Sequence, residues 1–137
     1  LDEMVERHQL HERVELLGAV AHSDVPSVLT RAHVFLNTSL TEAFCIAILE
    51  AVSCGLLVVS TKVGGVPEIL PKHMLLFAQA DGHSAAAQAD ALLEALSEAL
   101  STVRKRRQPT GFHRDVCKMY SWADVARRTC VVYDAVG

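Results

Sequence analysis

Apolar residues in this chain fall into short runs that alternate with longer segments of helical character. The short runs are rich in valine and leucine and end at glycine or polar residues, as is typical of buried β-strands. The longer segments are bounded by capping residues, prolines or glycines and predict α-helices. Strands are predicted at residues 14–17, 34–36, 57–60 and 74–77, and helices at 2–9, 23–31, 43–54, 66–70, 85–103 and from Trp122 onwards.

The order of these elements predicts the fold. Strands that alternate with helices form parallel βαβ units with right-handed crossovers. We therefore expect an α/β domain with a Rossmann-like parallel sheet and helices on both faces. Ligands of such sheets bind beyond the carboxyl ends of the strands. The loops at residues 37–42 and 61–65 both follow predicted strands, so they should lie on the same rim.

Two helices carry expectations about the core. Trp122, at the start of the last helix, is expected to pack in the core because that is the usual role of a large aromatic side chain. The long helix should bury one apolar face, as amphipathic helices of globular proteins do. Its expected core residues are Leu92, Leu93, Leu96, Leu100 and Val103.

The predicted helix at 43–54 is the most unusual segment of the chain. A single glutamate and a single serine interrupt its apolar residues, and a helix that is apolar all round is normally buried. Its first backbone amides, around Phe44, Cys45 and Ile46, would have no partners within the helix. Together with the helix dipole, such amides make a phosphate-binding site that needs no basic side chain.

Two carboxylates accompany this helix. Glu42 precedes it and Glu50 lies within it, eight positions further on, or about 12 Å along a helix. At that separation they could bind two parts of an elongated ligand, and carboxylates suit sugar and ribose hydroxyls. With the phosphate site, this constellation predicts a nucleotide sugar. The alternative is that Glu42 only stabilises the helix end and Glu50 faces solvent, and the apolar surroundings of Glu50 favour the ligand role.

Gly64 and Gly65 follow the third predicted strand, on the same rim. Glycine is required where the backbone approaches another group closely or adopts a positive φ. We predict that the pair allows the backbone to approach the ligand, with a simple turn as the alternative.

Composition limits the other possibilities. The chain has 137 residues and a net charge of −3, so it lacks the basic surplus that nucleic-acid binding needs. No apolar run approaches the roughly 18 residues of a membrane span, and no signal peptide opens the chain. The four cysteines form no CxxC pair, so we expect reduced thiols in the cytosol and no metal site.

One stretch, SLTEAFCIAILEAVSCGLLVVSTKVGGVPEILP, resembles the donor-binding half of retaining GT-B glycosyltransferases. The signature of that family includes two acids at E-x7-E spacing, which Glu42 and Glu50 match. NTSLTEAFC, with Cys45 where many relatives have glycine, is most similar to the catalytic subunits of phosphatidylinositol N-acetylglucosaminyltransferases. These enzymes start glycosylphosphatidylinositol (GPI) anchor synthesis. RVELLG at 13–18 and YSWADVARRT at 120–129 also match that family.

The resemblance implies roles for individual residues. Glu42 would be catalytic and face the transferred sugar, and Glu50 would bind the ribose. The amides near Phe44, Cys45 and Ile46 would meet the diphosphate. The reaction would transfer N-acetylglucosamine from UDP-N-acetylglucosamine (UDP-GlcNAc) to phosphatidylinositol with retention, with no metal or other cofactor.

The resemblance also implies how the chain is organised. Residues 1–137 would form part of the C-terminal, donor-binding domain of a GT-B fold, without its first strand or strands. The basic pair that binds the diphosphate in the family would lie upstream of residue 1, so we expect the chain alone to bind donor weakly. The domain that binds phosphatidylinositol would also be absent, so we expect the chain alone to transfer nothing, and the last helix would pack back towards that missing domain. By the same resemblance, the enzyme would work with other subunits of a membrane complex on the cytoplasmic face of the endoplasmic reticulum.

Alternative functions remain at this stage. A related GT-B enzyme with another donor or acceptor fits, because no residue can be assigned to the acetamido group. A dinucleotide-binding Rossmann domain would need a Gly-x-Gly-x-x-Gly turn, and Gly64 and Gly65 lack that spacing. A non-catalytic interaction module is also conceivable, although the presence of both glutamates argues against it.

Overall fold

The computed structural model describes residues 1–79, 84–105 and 111–136. Within this part of the chain, one parallel sheet has the strand order β1-β2-β3, with β1 at Val34–Asn37, β2 at Leu57–Ser60 and β3 at Leu75–Phe77. Short 3-10 helices lie at His22–Asp24 and Val66–Glu68. The α-helices are α1 (Asp2–Arg7), α2 (Val25–Leu29), α3 (Ile46–Ser53), α4 (Ala85–Lys105), α5 (Phe112–Met119) and α6 (Trp122–Val136).

The central strand β2 shows why the sheet forms. All four of its residues are buried, and α3 and α4 both pack against it. In the parallel register, Val58 pairs with Phe35 on one side and with Leu75 on the other. A strand that is covered on both faces favours a continuous apolar run, which accounts for Leu57, Val58 and Val59, while the buried strand end carries the polar Ser60. The predicted parallel α/β fold is confirmed.

The helix α5 was not predicted, yet it completes the core. It packs against α3 and buries Phe112 and Val116. These residues and Met119 are spaced four and three positions apart, which is the pattern of one helical face. That spacing was the available signal for a helix in this segment.

The strand predicted at residues 14–17 is absent. These residues are exposed and have no regular secondary structure. A strand is stabilised by hydrogen bonds to a neighbour, and within the described residues β1 pairs only with β2. An apolar run without a pairing strand does not form a strand by itself, so the prediction was wrong for this segment.

The buried face of α4 also differs from the predicted one. It is centred on Ala91, Ala95 and Ala99, whereas Leu93 is 63% exposed and Leu100 is also exposed. The small alanine side chains allow the helix to lie close against the sheet. The prediction was partly right, since Leu92 and Val103 are half-buried and pack against the core. It was wrong for Leu93 and Leu100, because the sequence pattern favoured the larger leucines over the alanines that the helix buries.

The helix α6 has no buried residue. Trp122, expected in the core, is 89% exposed. Its prediction rested on residue type alone, and α6 makes too little contact with the other described elements to bury a side chain there.

Candidate functional site

The loops that leave β1 and β2 meet at one rim of the sheet, as the topology predicts. The hydroxyl of Thr61 donates a hydrogen bond of 2.6 Å to the carbonyl of Ser39. The amide of Gly65 donates a hydrogen bond of 3.3 Å to the carbonyl of Glu42. The two loops are therefore joined both at their start and near the predicted catalytic glutamate.

A buried polar network lies beneath this rim. The side-chain amide of Asn37 donates to the Ser60 hydroxyl at 3.0 Å, and its carbonyl oxygen accepts from the Ser39 hydroxyl at 2.8 Å. The Ser60 hydroxyl in turn donates to the Thr61 carbonyl at 2.9 Å. The network fixes the ends of β1 and β2 relative to each other, and it was not predicted. The sequence signal for this network was the polar residue at the end of each apolar strand, Asn37 in β1 and Ser60 in β2.

The helix α3 begins at Ile46 and not at residue 43. Cys45 precedes it with φ +59°, in the left-handed region, which cannot continue a right-handed α-helix. Phe44 and Cys45 therefore lie in the loop, and the prediction that their amides belong to the helix was wrong. Glycine would adopt this left-handed conformation without a steric cost.

The amide end of α3 is open. Among the described residues, no oxygen atom accepts a hydrogen bond from the amides of Ile46 and Ala47, although the Ala47 amide lies close enough to the Cys45 thiol to lower the pKa of that thiol slightly. The amide of Ile48 donates to the Cys45 carbonyl at 3.0 Å. Ile46 is 66% exposed and Ala47 is also exposed. The prediction that this helix is buried on all sides was therefore wrong. Its buried residues, Ile48, Ala51 and Val52, face the sheet and α5, and its first two residues face solvent at the rim. Two such amides with the positive end of the helix dipole can bind an anion.

Glu42 is half-buried beside this amide end. One of its carboxylate oxygens accepts a hydrogen bond of 3.1 Å from the amide of Ala43. Burial raises the pKa of the Cys45 thiol; the amide of Ile48 partly opposes this effect, and the negative charge of Glu42 adds to it. Cys45 therefore remains a neutral thiol near neutral pH, and the charge at this point of the rim belongs to Glu42.

The two glycines make the close contact between the loops possible. A Cβ atom on Gly64 would lie 1.7 Å from the Glu42 carbonyl oxygen, and one on Gly65 would lie 2.1 Å from the Ala43 carbonyl oxygen. Gly64 also has φ +50°. The positive φ fits the predicted turn, and the close approach that the glycines permit is to protein backbone. Whether they also contact a ligand stays a prediction.

Glu50 lies on the wall of a separate groove between α2, α3 and α5. The groove has a volume of about 350 Å³, and its wall is mostly apolar, with Pro26, Leu29 and Val116 among its residues. Glu50 is half-buried there, and Cys54 lies beside it. Burial raises the pKa of the Cys54 thiol, and the charge of Glu50 adds to that effect. The groove thus offers one carboxylate on an apolar wall, while Glu42 lies on the rim.

Two kinds of site are absent from the described residues. No group of three or more histidine, cysteine, aspartate or glutamate side chains is placed to hold a metal ion among them. None of their helices combines the length and the apolar character needed to cross a membrane.

Comparison with known proteins defines the class of this protein. Residues 1–98 match the family described as Glycosyl transferases group 1. The chain therefore belongs to this family of glycosyltransferases.

The most informative relatives cover nearly the whole chain. It is 54% identical over 134 residues to a phosphatidylinositol N-acetylglucosaminyltransferase subunit of Arabidopsis thaliana, a match of 98% of this chain and 28% of that protein. It is 49% identical over 138 residues to the subunit of the same name in Homo sapiens, a match of 99% of this chain and 27% of that protein. The chain thus spans little more than a quarter of the length of these relatives, and the resemblance stated from its motifs is confirmed.

Solved structures agree on the fold. Sucrose-phosphate synthase from Thermosynechococcus elongatus has a TM-score of 0.68 at 22% identity, covering 98% of this chain and 33% of that one. The pneumococcal O-GlcNAc transferase GtfA, solved in complex with UDP and GlcNAc, has a TM-score of 0.65 at 15% identity, covering 98% of this chain and 26% of that one. These likenesses establish the fold of GT-B glycosyltransferases.

Proposed function

We propose that this chain is the donor-binding part of a glycosyltransferase that moves N-acetylglucosamine from UDP-GlcNAc to phosphatidylinositol, the first step of GPI-anchor synthesis. The observation that carries the proposal is the placement of an open helix amide end and Glu42 on one rim, with Glu50 in a groove along the same helix. The similarity to proteins named as phosphatidylinositol N-acetylglucosaminyltransferase subunits supports this donor and acceptor.

The diphosphate of the donor binds at the start of α3. The amides of Ile46 and Ala47 belong to exposed residues and point along the helix dipole, so they can donate hydrogen bonds to phosphate oxygens. This assignment shifts the site from the predicted amides of Phe44 and Cys45 towards the helix interior. The predicted amide of Ile46 remains part of it.

The nucleoside occupies the groove. Glu50 accepts hydrogen bonds from the ribose hydroxyls, for which an ionised carboxylate has about four acceptor positions. The apolar side chains of the groove, such as Pro26 and Leu29, leave room for the uracil ring. The neutral thiol of Cys54 adds no second charge beside the ribose.

Glu42 faces the transferred sugar. It lies four positions before the first open amide in the sequence, and the Ala43 amide holds one of its carboxylate oxygens. The other oxygen is then available for a sugar hydroxyl or for the developing charge at the anomeric carbon. Whether Glu42 acts as a nucleophile or orients the sugar, the residue is the catalytic candidate. The amides of α3, with about half a positive charge from the helix dipole, offset part of the charge of the diphosphate.

The acceptor and the other subunits bind elsewhere. The chain corresponds to little more than a quarter of its relatives, so we assign residues 1–137 to part of the donor domain and phosphatidylinositol to a region outside it. We place the complete enzyme within a multi-subunit complex on the cytoplasmic face of the endoplasmic reticulum. The naming of the relatives as subunits supports the complex.

Titration of the chain with uridine, UDP, UDP-GlcNAc and NAD, followed by calorimetry and by backbone amide NMR, tests this proposal. We expect UDP to bind and to shift the amide resonances of Ile46 and Ala47. Uridine, which lacks the diphosphate, should leave those resonances unchanged. Glu50→Gln should weaken UDP binding about tenfold or more, because a hydrogen bond to a charged group is worth about 1.5–3 kcal/mol. Glu98→Gln on the exposed face of α4 is the matched control and should change nothing.

Three results would contradict the proposal. NAD binding without a response to UDP would favour a dinucleotide-binding domain. UDP binding that Glu50→Gln leaves unchanged would remove the ribose assignment. Transfer of N-acetylglucosamine by the chain alone would contradict the assignment of the acceptor to another region.

A further inference from the structure

Tyr120 contacts both loops of the candidate site from a distant part of the sequence. Its ring meets the ring of Phe44 edge to face, with centroids 5.8 Å apart and an angle of 75° between the planes. Its hydroxyl donates a hydrogen bond of 2.7 Å to the carbonyl of Ile69. Phe44 belongs to the loop after β1, and Ile69 directly follows the 3-10 helix after β2. One side chain therefore spans the two loops.

The position of Tyr120 is itself fixed by the core. Its amide donates to the carbonyl of Val116 at 2.9 Å, which closes the end of α5. Val116 is buried, and α5 packs against α3. Tyr120 is thus attached to a helix that is rigidly packed, while it reaches two loops that are partly exposed.

Near the catalytic position, the loop that carries Glu42 contacts the second loop through the backbone at Gly64 and Gly65. Phe44 is 39% exposed, and Ala43 is also exposed. The hydrogen bond at this point is the 3.3 Å contact from the Gly65 amide to the Glu42 carbonyl, which is long for its kind. The path through Tyr120 gives a second connection, from Phe44 to Ile69.

We propose that Tyr120 is a positioning residue of the donor site. It holds Phe44, and through it the backbone from Glu42 to the first amides of α3, at a fixed distance from the turn after β2. This role requires no contact between Tyr120 and the donor itself. This role rests on the proposed function, because it assigns importance to Tyr120 through the Glu42 loop and the open amides.

The chemistry of the hydroxyl agrees with a permanent hydrogen bond. Burial raises the pKa of Tyr120, with a smaller opposing effect from the charge of Arg128. The phenol therefore remains protonated throughout the neutral range and donates to the Ile69 carbonyl. An edge-to-face aromatic pair contributes beyond its buried area, so the two contacts of Tyr120 are of comparable strength.

The test uses four variants of the whole chain: Tyr120→Phe, Phe44→Leu, the double variant, and Tyr133→Phe. Tyr133 is the matched control because it is the second tyrosine of the chain and is 71% exposed. Two quantities are measured for each variant, the backbone amide order parameters without ligand and the Kd for UDP.

We expect Phe44→Leu to lower the order parameters of residues 66–69 in the opposite loop, and Tyr120→Phe to lower those of residues 42–46. Each single variant should raise the Kd for UDP about fivefold, the factor that corresponds to about 1 kcal/mol. The double variant should be no more than about tenfold weaker, because both changes break the same connection and their effects do not add. Tyr133→Phe should match the unaltered chain.

The outcomes separate this inference from the proposed function. If the unaltered chain fails to bind UDP, the proposed function fails, and the order parameters still decide the role of Tyr120. The inference is overturned if each loop keeps its order parameters when the other is altered, or if the two effects on the Kd multiply fully. If Tyr120→Phe unfolds the chain, the backbone amide order parameters of residues 66–69 in the Phe44→Leu variant alone decide whether Tyr120 connects the two loops.

Discussion

Replacement of Gly64 by alanine should disturb the candidate site more than its small size suggests. The new Cβ atom would lie 1.7 Å from the Glu42 carbonyl oxygen, whereas real Cβ contacts stay at 3.0 Å or more. One of the two loops must therefore retreat by about 1.3 Å, the difference between these two distances. Because the obstructing atom is backbone, no side-chain rotation can relieve the clash.

The magnitude follows from two separate effects. Alanine at φ +50° costs about 1–2 kcal/mol relative to glycine, because its Cβ atom crowds the backbone in the left-handed region. Retreat of the loop also breaks the hydrogen bond from Gly65 to Glu42, which adds about 1 kcal/mol. We expect the free energy of unfolding to fall by about 2–3 kcal/mol. A displacement of this size in the loop that leads from Glu42 to the amides of Ile46 and Ala47 should also weaken UDP binding about tenfold or more, because those amides bind the diphosphate.

Two other glycine variants separate the cost of the backbone conformation from the cost of the clash. Gly18→Ala has a comparable φ of +64° with nothing within 4 Å of its Cβ atom, so it should show the conformational cost alone and bind UDP normally. Gly65→Ala meets the Ala43 carbonyl at 2.1 Å with an ordinary φ of −82°, so it should show the clash alone and weaken UDP binding. Urea unfolding followed by circular dichroism and calorimetric UDP titration measure both quantities.

The reasoning would be refuted if Gly64→Ala were no more destabilising than Gly18→Ala. It would also fail if Gly64→Ala kept the full affinity for UDP, because the loop that carries Glu42 could then move without consequence. In that case the close packing of the two loops would be a feature of folding and not of the donor site.

Two further predictions concern the rim and the groove. Asn37→Ala should lower the free energy of unfolding by about 1–3 kcal/mol, since the hydroxyl of Ser60 loses its donor inside the protein, whereas the exposed neighbour variant Thr38→Ala should have little effect in the same urea experiment. Because a raised pKa leaves less thiolate at a given pH, iodoacetamide at a pH of about 8 should alkylate Cys54 more slowly than the exposed Cys117, as peptide mass spectrometry can measure. UDP in the groove should slow the reaction of Cys54 further and leave Cys117 unchanged; equal protection of both thiols would argue against binding in the groove.

The parts of the fold that depend on local pattern could be predicted from the sequence. The strand β2 was predicted with its observed limits because its three successive apolar residues, ended by Ser60, form the pattern of a strand that is buried on both faces. The meeting of the two loops followed from parallel topology alone. The start of α3 could not be predicted, because Cys45 adopts a left-handed conformation that its residue type does not reveal.

The parts that depend on tertiary contacts could not be predicted in the same way. The packing of Gly64 against Glu42 joins residues 22 positions apart, and the contact between Tyr120 and Phe44 joins residues 76 positions apart. The prediction of a strand at residues 14–17 failed for a related reason, since a strand depends on a neighbouring strand that the local pattern does not contain. In each case the deciding partner lies far away in the sequence.

The contribution of α5 bears on how such domains are delimited. The stretch recognised by the family profile ends at residue 98, and it contains both carboxylates and both glycines. The helix that covers α3, and the aromatic side chain that spans the two loops, both come later in the chain. A protein truncated for expression at residue 98 would keep both carboxylates and both glycines. It would lose α5 and Tyr120, which hold the elements that carry those residues in place.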